Sequence, residues 1–329
     1  MMAQILTTTL MAGIVVVLTI LFGMLFLGID RKVAARFQAR IGPPIVQPFR
    51  DFIKLLAKQT IIPENSIKWL FSFAPVLAVA SSLLLVLYLP FLDMNPVLGN
   101  YGDIIVVLYL LLVPGIAMVV GGLASSSKYA TIGAQRKMVT MMSYELPLAT
   151  LVIAMVWRLS SVSGEAAFSF STFASYPILN HVGIIGIIGL VFLFIAILIT
   201  ICGELIKTPF DAPEADTELA EGLLVEYSGR NLGLFILSDA AKLVAFVTLI
   251  IALFFPYRLS SFIDMGMFNV IGNAIFFIIK FFIIAFVGLS FERVAFARLK
   301  IDQVARFFWV YSLGISLIGL LLIVIDTLI

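Results

Sequence analysis

Apolar segments of about twenty residues, the length a helix needs to cross a bilayer, recur eight times in this chain. They lie at roughly 5–29, 69–91, 104–124, 137–159, 182–206, 232–255, 268–290 and 305–328. Inside hydrocarbon each backbone polar group must find its partner within the protein, and a helix meets that demand by itself. The spacing therefore predicts an all-α polytopic membrane protein, one integral-membrane domain over 1–329. Composition agrees, since 62% of residues are hydrophobic and only 12% charged, against roughly 25% charged in a soluble domain. The first run, MMAQILTTTLMAGIVVVLTILFGMLFLGIDRK, has no basic leader and no A-x-A cleavage site. It reads as a retained helix.

Basic residues alternate between loops. Arg31, Lys32, Arg36, Arg40, Arg50, Lys54, Lys58 and Lys68 follow the first span, Lys128, Arg136 and Lys137 the third, and Arg293, Arg298, Lys300 and Arg306 the seventh. The other side offers Arg158 and Arg258. Positive loops stay in the cytoplasm, so both termini are expected outside a cell membrane. In the first loop, Phe49, Phe52, Ile53 and Leu56 recur at helical spacing, with Arg50, Lys54 and Lys58 on another face. That pattern predicts an amphipathic surface helix over 48–58, serving as an interfacial anchor or a docking surface. Gly183, Gly186 and Gly189 open the fifth span and predict close helix packing.

One Cys (Cys202), one His (His181) and no CxxC leave no ligand set for an Fe–S cluster or zinc. No dinucleotide fingerprint or Walker loop occurs, and a net charge of +2 leaves no nucleic-acid footprint. Any electron chemistry therefore belongs to other chains.

Charge inside a span is expensive and marks function or pairing. Glu145, Glu204, Asp239, Lys242 and Lys280 are such charges. Asp239 and Lys242, three apart, share a helix face and are expected to pair. Lys280 lies too deep to reach headgroups and needs an interior partner or an aqueous path. Glu145 and Glu204 fall near the cytoplasmic ends of their spans, where interfacial water is an alternative. The densest cluster of acids is KTPFDAPEADTELAEGLLVEYSGR, 207–230, with six carboxylates between Asp211 and Glu226. Asp211 to Glu214 reads as a capping box with Pro in the first turn. A helix from there would set Asp211, Glu214, Glu218 and Glu221 on one stripe and turn Asp216 away. Crowded carboxylates hold protons near neutral pH. A proton wire continued by Glu204 and Glu145 is one reading, and a solvated acidic loop is the other.

The segment ELIKTPFDAPEADTELAEGLLVEYSG closely resembles the signature E-x-N-R-x-P-F-D-x-x-E-x-E-x-E-L-x-x-G-x-x-x-E-Y of the H subunit (subunit 1) of respiratory complex I. DRKVAARFQARIGPP and SKYATIGAQRKMVTMMSYELPLA resemble two further stretches of that family, in the same order. The resemblance implies a membrane subunit beneath a peripheral redox arm that carries Fe–S clusters, and beside antiporter-like subunits. It implies ion-coupling roles for Glu145, Glu204, Asp211, Glu214, Asp216, Glu218, Glu221 and Glu226. Arg31, Arg36, Gln38, Arg40, Gly42, Pro43, Arg136 and Lys207 would dock the peripheral arm or line its chamber. The chain departs from the pattern at Asp30, Pro44, Ile206 and Lys207. The loop after Pro43 is short, where the quinone-reducing branch builds its chamber entrance, so quinone is not the expected acceptor. That loop, Lys242 and the FERVAFARLKID stretch look like the matching subunit of membrane-bound hydrogenase, formate hydrogenlyase and membrane-bound sulfane sulfur reductase. In that branch the peripheral partner is a hydrogenase-like large subunit, with NiFe in some members. A quinone-reducing complex and a free-standing proton-coupled transporter are the alternatives; the transporter would need inverted repeats, and none is evident.

Overall fold

A computed structural model describes residues 2–99, 101–164, 167–262 and 268–329, with the side chains of 2–5, 216 and 217 excluded. The described residues form helices and connecting turns. In chain order the helices are α1 (Met2–Phe37), α2 (Gln47–Ala57), α3 (Lys68–Leu87), α4 (Ile104–Ala124), α5 (Lys128–Ser163), α6 (Phe170–Ser175) and α7 (Ile184–Glu204). There follow α8 (Asp216–Leu219), α9 (Gly229–Phe254), α10 (Asn269–Ala285), α11 (Glu292–Ala295), α12 (Ile301–Arg306) and α13 (Leu313–Leu328). One π-helical turn, Phe286–Phe291, joins α10 to α11, and another, Phe307–Ser312, joins α12 to α13. Eight helices among the described residues are long and apolar enough to cross a membrane.

Helix α9 is the axis. Its most apolar window is 83% buried, whereas the other seven range from 28% to 56%. It packs on α3, α1 and α2, while α7 packs on α13. A helix buried on all sides must satisfy every polar side chain from its neighbours, because neither lipid nor water reaches it. Asp239 and Lys242 are placed on this helix.

The expected spans correspond to observed helices, but two continue well past them. Helix α1 runs to Phe37, so Arg31, Lys32 and Arg36 belong to its last turns. Helix α5 begins at Lys128, nine residues ahead of the expected start, and Lys137 is wholly buried in it instead of lying in a basic loop. Hydropathy alone cannot see this extension, since the added turns bury themselves against protein. Pro75, Pro114 and Pro147 lie inside α3, α4 and α5.

The expected amphipathic helix forms as α2. Pro48 and Leu55 are buried and Phe52 and Leu55 lie against Gly233 of α9, while Ile53 and Leu56 are exposed. Gly189 sits against the Gly319 carbonyl of α13, so the glycine spacing does admit close packing. Gly183 and Gly186 serve a second purpose. Their amides donate to Oδ2 and Oδ1 of Asp326, both at 3.1 Å, and Arg158 holds the same carboxylate at 3.0 Å. The end of α13 thereby caps the start of α7.

Candidate functional site

The acidic segment does not form one helix. It folds as a turn at Ala212–Glu214, the single turn α8 and a further turn at Gly222–Leu224, with Ala220 and Glu221 in the left-handed region at φ 48° and 72°. The predicted stripe is therefore absent. Four carboxylates on one face would repel, and each finds a separate environment. The capping box is absent too: the Asp211 side chain makes no cap bond and meets Arg298 Nε at 2.9 Å. Glu218 takes a 2.6 Å bond from Arg136, whose guanidinium also donates to the Ala212 carbonyl at 3.2 Å. Glu221 is exposed and Glu226 half-buried. The Asp216 side chain lies outside the described residues.

Nor is the segment a solvated loop. Phe210, Ala212, Ala215, Leu219, Leu223 and Tyr227 are buried. The packing runs along α5, where Gly133 lies so close to Leu223, Gly222 and the Pro213 carbonyl that a Cβ would meet them at 2.6–3.0 Å. Tyr227 fixes the far end by stacking on Phe71 at 4.1 Å and donating to the Phe71 carbonyl at 3.1 Å.

This packing carries Glu214 inward, toward charges from α5, α7 and α9. Lys242 Nζ lies 2.6 Å from Glu204 Oε1 and donates to the Glu204 carbonyl at 2.8 Å. Lys137 donates to the same carbonyl at 3.5 Å. Glu204, Lys137 and Lys242 are at most 1% exposed. Asp239 and Glu214 act on one another, and Lys207, Lys137 and Lys242 act on both. The site is thus three acids, Glu204, Glu214 and Asp239, interleaved with three bases, Lys137, Lys207 and Lys242. The expected Asp239–Lys242 ion pair does not form, because Glu204 across the helix interface takes the Lys242 ammonium. The Tyr144 hydroxyl stands beside Glu204. It, Glu204 Oε2 and Glu214 Oε1 are buried without a well-formed hydrogen bond among the described residues.

Burial, and then the negative charge of Asp239, push the Glu214 carboxyl up from 4.5 to about 7, against the pull of Lys207, Lys137 and Lys242. A carboxyl in that range takes up and releases a proton at neutral pH. A cluster of balanced charges with one such member can change its net charge by one unit at little cost. It can therefore pass a proton, or shift its bonds in answer to a nearby charge.

The remaining expected residues disperse. Glu145 is half-buried on α5 and makes no ion pair among the described residues. Lys280 reaches the opposite end of the bundle. Arg31 pairs with Asp51 at 3.3 Å, while Arg36, Gln38, Arg40 and Pro43 are exposed on one surface with the half-buried Gly42. Lys207, expected with that surface, belongs electrostatically to the cluster. Lys137 was missed as a member, although Gly133, Lys137, Thr140 and Tyr144 recur at helical spacing and are all buried. Asp30, which takes Arg293 at 2.7 Å and Ser290 at 2.7 Å and so ties α1 to the π turn, was also missed.

Eight helices long and apolar enough to cross a membrane, packed around this charge-balanced cluster, define a polytopic membrane protein. A family model described as NADH dehydrogenase matches residues 10–324. The H subunit of NADH-quinone oxidoreductase from Bacillus thuringiensis subsp. konkukian (strain 97-27) is 33% identical over 304 residues, covering 89% of this chain and 86% of that one. The corresponding protein of Bacillus cereus (strain B4264) matches equally, 33% identical with the same coverage. A chain of the membrane-bound sulfane sulfur reductase, an archaeal respiratory membrane complex, superposes with a TM-score of 0.83 at 28% identity, over 96% of this chain and 99% of that one. The chain belongs to the NADH dehydrogenase family of membrane proteins, the family of these H subunits.

Proposed function

We propose that this chain is the membrane subunit of an ion-translocating oxidoreductase, coupling a peripheral redox arm to antiporter-like membrane subunits. The reading is carried by one observation: the acidic segment brings Glu214 under the charges of a cluster in which Lys137, Glu204 and Lys242 are buried and Lys207 and Asp239 half-buried. The relatives are subunits of respiratory-type complexes, which supports partners in general. Fe–S clusters, and NiFe where the partner is hydrogenase-like, would reside in the peripheral subunits above α2 and the exposed Arg36–Arg40 surface. That surface would face the cytoplasm, with both termini outside. A charge created in the redox arm would alter the proton affinity of Glu214. The Lys242–Glu204 pair would then rearrange, and protons or sodium ions would move in the neighbouring subunits.

Asp211 and Glu218 are neutralised by arginines, which favours a charged lever centred on Glu214 over a continuous wire along the segment. The hydrogenase or sulfur-reductase branch is favoured over the quinone branch by the short loop after Pro43. The test is reconstitution of the purified complex in proteoliposomes. Glu204→Gln and Lys242→Met should leave electron transfer running while ion uptake is lost. Ion uptake at the parental rate in both variants would overturn the reading.

A further inference from the structure

The coupling cluster leaves a second buried charge unexplained, at the end of the bundle away from the acidic segment. Lys280 of α10 points its ammonium at the carbonyls of Phe255, 3.2 Å, and Tyr257, 2.8 Å, just past the end of α9. Its remaining hydrogen faces Asp93 Oδ1 at 4.0 Å, and each side chain is about a tenth exposed. The Phe276 ring lies beneath the ammonium, 4.9 Å from its centroid. Satisfying these two carbonyls in the turn after α9 accounts for the lysine. It does not account for Asp93, whose Oδ2 is buried with no hydrogen bond among the described residues.

Asp93 is also held in place. It follows Leu92, and the two adopt φ of 58° and 53°, left-handed conformations that a leucine rarely takes. Such strain persists only where surrounding structure imposes it, and it is concentrated at functional positions. Arg258 is the third charge, close enough to act on both Asp93 and Lys280. It donates to Asn95 Oδ1 at 3.4 Å. Two recesses share Arg258 as a lining residue. One, about 650 Å³, is lined by Asn180, Tyr257, Ser260 and Ser261; the other, about 380 Å³, by Asn95, Ser169 and Ser171. Both have room and polar groups enough for water. Asp93 and Lys280 line neither, and the Asp93 side chain meets solvent only through the tenth of its surface that is exposed.

We propose that Asp93, backed by Lys280 and fronted by Arg258, is the site at which this subunit exchanges protons with water on the face opposite the acidic segment. The inference rests on the translocating reading and adds to it a second aqueous boundary. The step is a simple acid dissociation. The O–H bond of the Asp93 carboxylic acid breaks, and a water at its exposed edge takes the proton. The carboxylate left behind faces two fixed cations, and the reverse step reloads it. Burial raises the Asp93 carboxyl, while Lys280 and then Arg258 oppose the rise. Among the described residues, these three are the titratable and charged groups that act on one another here.

The test uses the complex in sided proteoliposomes and dicyclohexylcarbodiimide, which modifies protonated buried carboxyls. Asp93 should be labelled in the parent complex, more strongly as pH falls in the compartment facing the recesses, and without response to the other compartment. Asp93→Asn should lose the label and slow proton translocation by about a hundredfold, the scale of a positioned proton-transfer group, with electron transfer intact and Asp93→Glu restoring translocation. Absence of label on Asp93 at every pH would overturn the inference, and so would parental translocation in Asp93→Asn. Should Asp93→Asn not assemble, the parent's sided labelling decides alone. Loss of translocation in Glu204→Gln with none in Asp93→Asn removes the second boundary and keeps the translocating reading. A parent complex that turns over without moving ions removes that reading.

Discussion

Replacing Glu214 by Gln isolates the one acid that the folded segment carries into the cluster. In the fold its carboxyl is raised from 4.5 to about 7, first by burial and then by Asp239. The folded state thus binds more protons than the unfolded state between those values. Stability must fall as pH rises through that window. At about 1.4 kcal/mol per pH unit, the interval corresponds to a penalty of about 3 kcal/mol, complete above about pH 7 and absent below about pH 4.5. Gln keeps the shape and carries no charge. Glu214→Gln should therefore match the parent in acid and exceed it in stability by up to about 3 kcal/mol above neutrality. Thermal unfolding of the purified complex across a pH series measures this directly. Parallel profiles for parent and variant through the window would refute the account of Glu214 as a buried, neutral-range acid. In proteoliposomes the same variant should keep electron transfer and lose the coupling of ion uptake to it.

Lys242→Met removes the ammonium 2.6 Å from the wholly buried Glu204 carboxyl, and should cost about 3–5 kcal/mol. The double variant Glu204→Gln/Lys242→Met should recover much of that loss, and melting temperatures compare the two. Gly222→Ala puts a Cβ 2.2 Å from the Pro213 carbonyl at a φ of 50°, a strain of about 1–3 kcal/mol. It should loosen the segment from α5, read as faster proteolysis between 212 and 227. Asp326→Asn keeps the size of the side chain but takes the counter-charge from Arg158 and the stronger acceptor from Gly183 and Gly186. A loss of about 3–5 kcal/mol is expected, with unfolding measured in the same assay.

Much of the scaffold was legible because its signals are local. A membrane span declares itself by length and apolarity, and the resemblance of three ordered motifs placed the chain in its family. The conspicuous charges were also legible. Glu204, Asp239, Lys242 and Lys280 stood out since a charge in a span needs a partner. Their partners were not legible. Helical spacing nominated Asp239 for Lys242, yet Glu204 from α7 won, because a helix buried on every side meets neighbours that spacing along its own axis cannot reveal. The acidic segment was misread in both directions. Neither one striped helix nor a solvated loop, it is a packed strap along α5. Lys137 was hidden because its neighbour Arg136 and the apparent loop made it look solvated.

From sequence alone came the membrane, the eight spans, the single Cys and His and the concentration of acids after the fifth span. These follow from transfer energies and residue chemistry, which act position by position. The tertiary structure decided which charges meet. It sent Asp211 and Glu218 to arginines and Glu214 to the lysines, and it set Asp93 against Lys280. Those outcomes depend on distances between helices far apart in the chain, where a few ångströms determine whether two buried charges neutralise each other or stand alone.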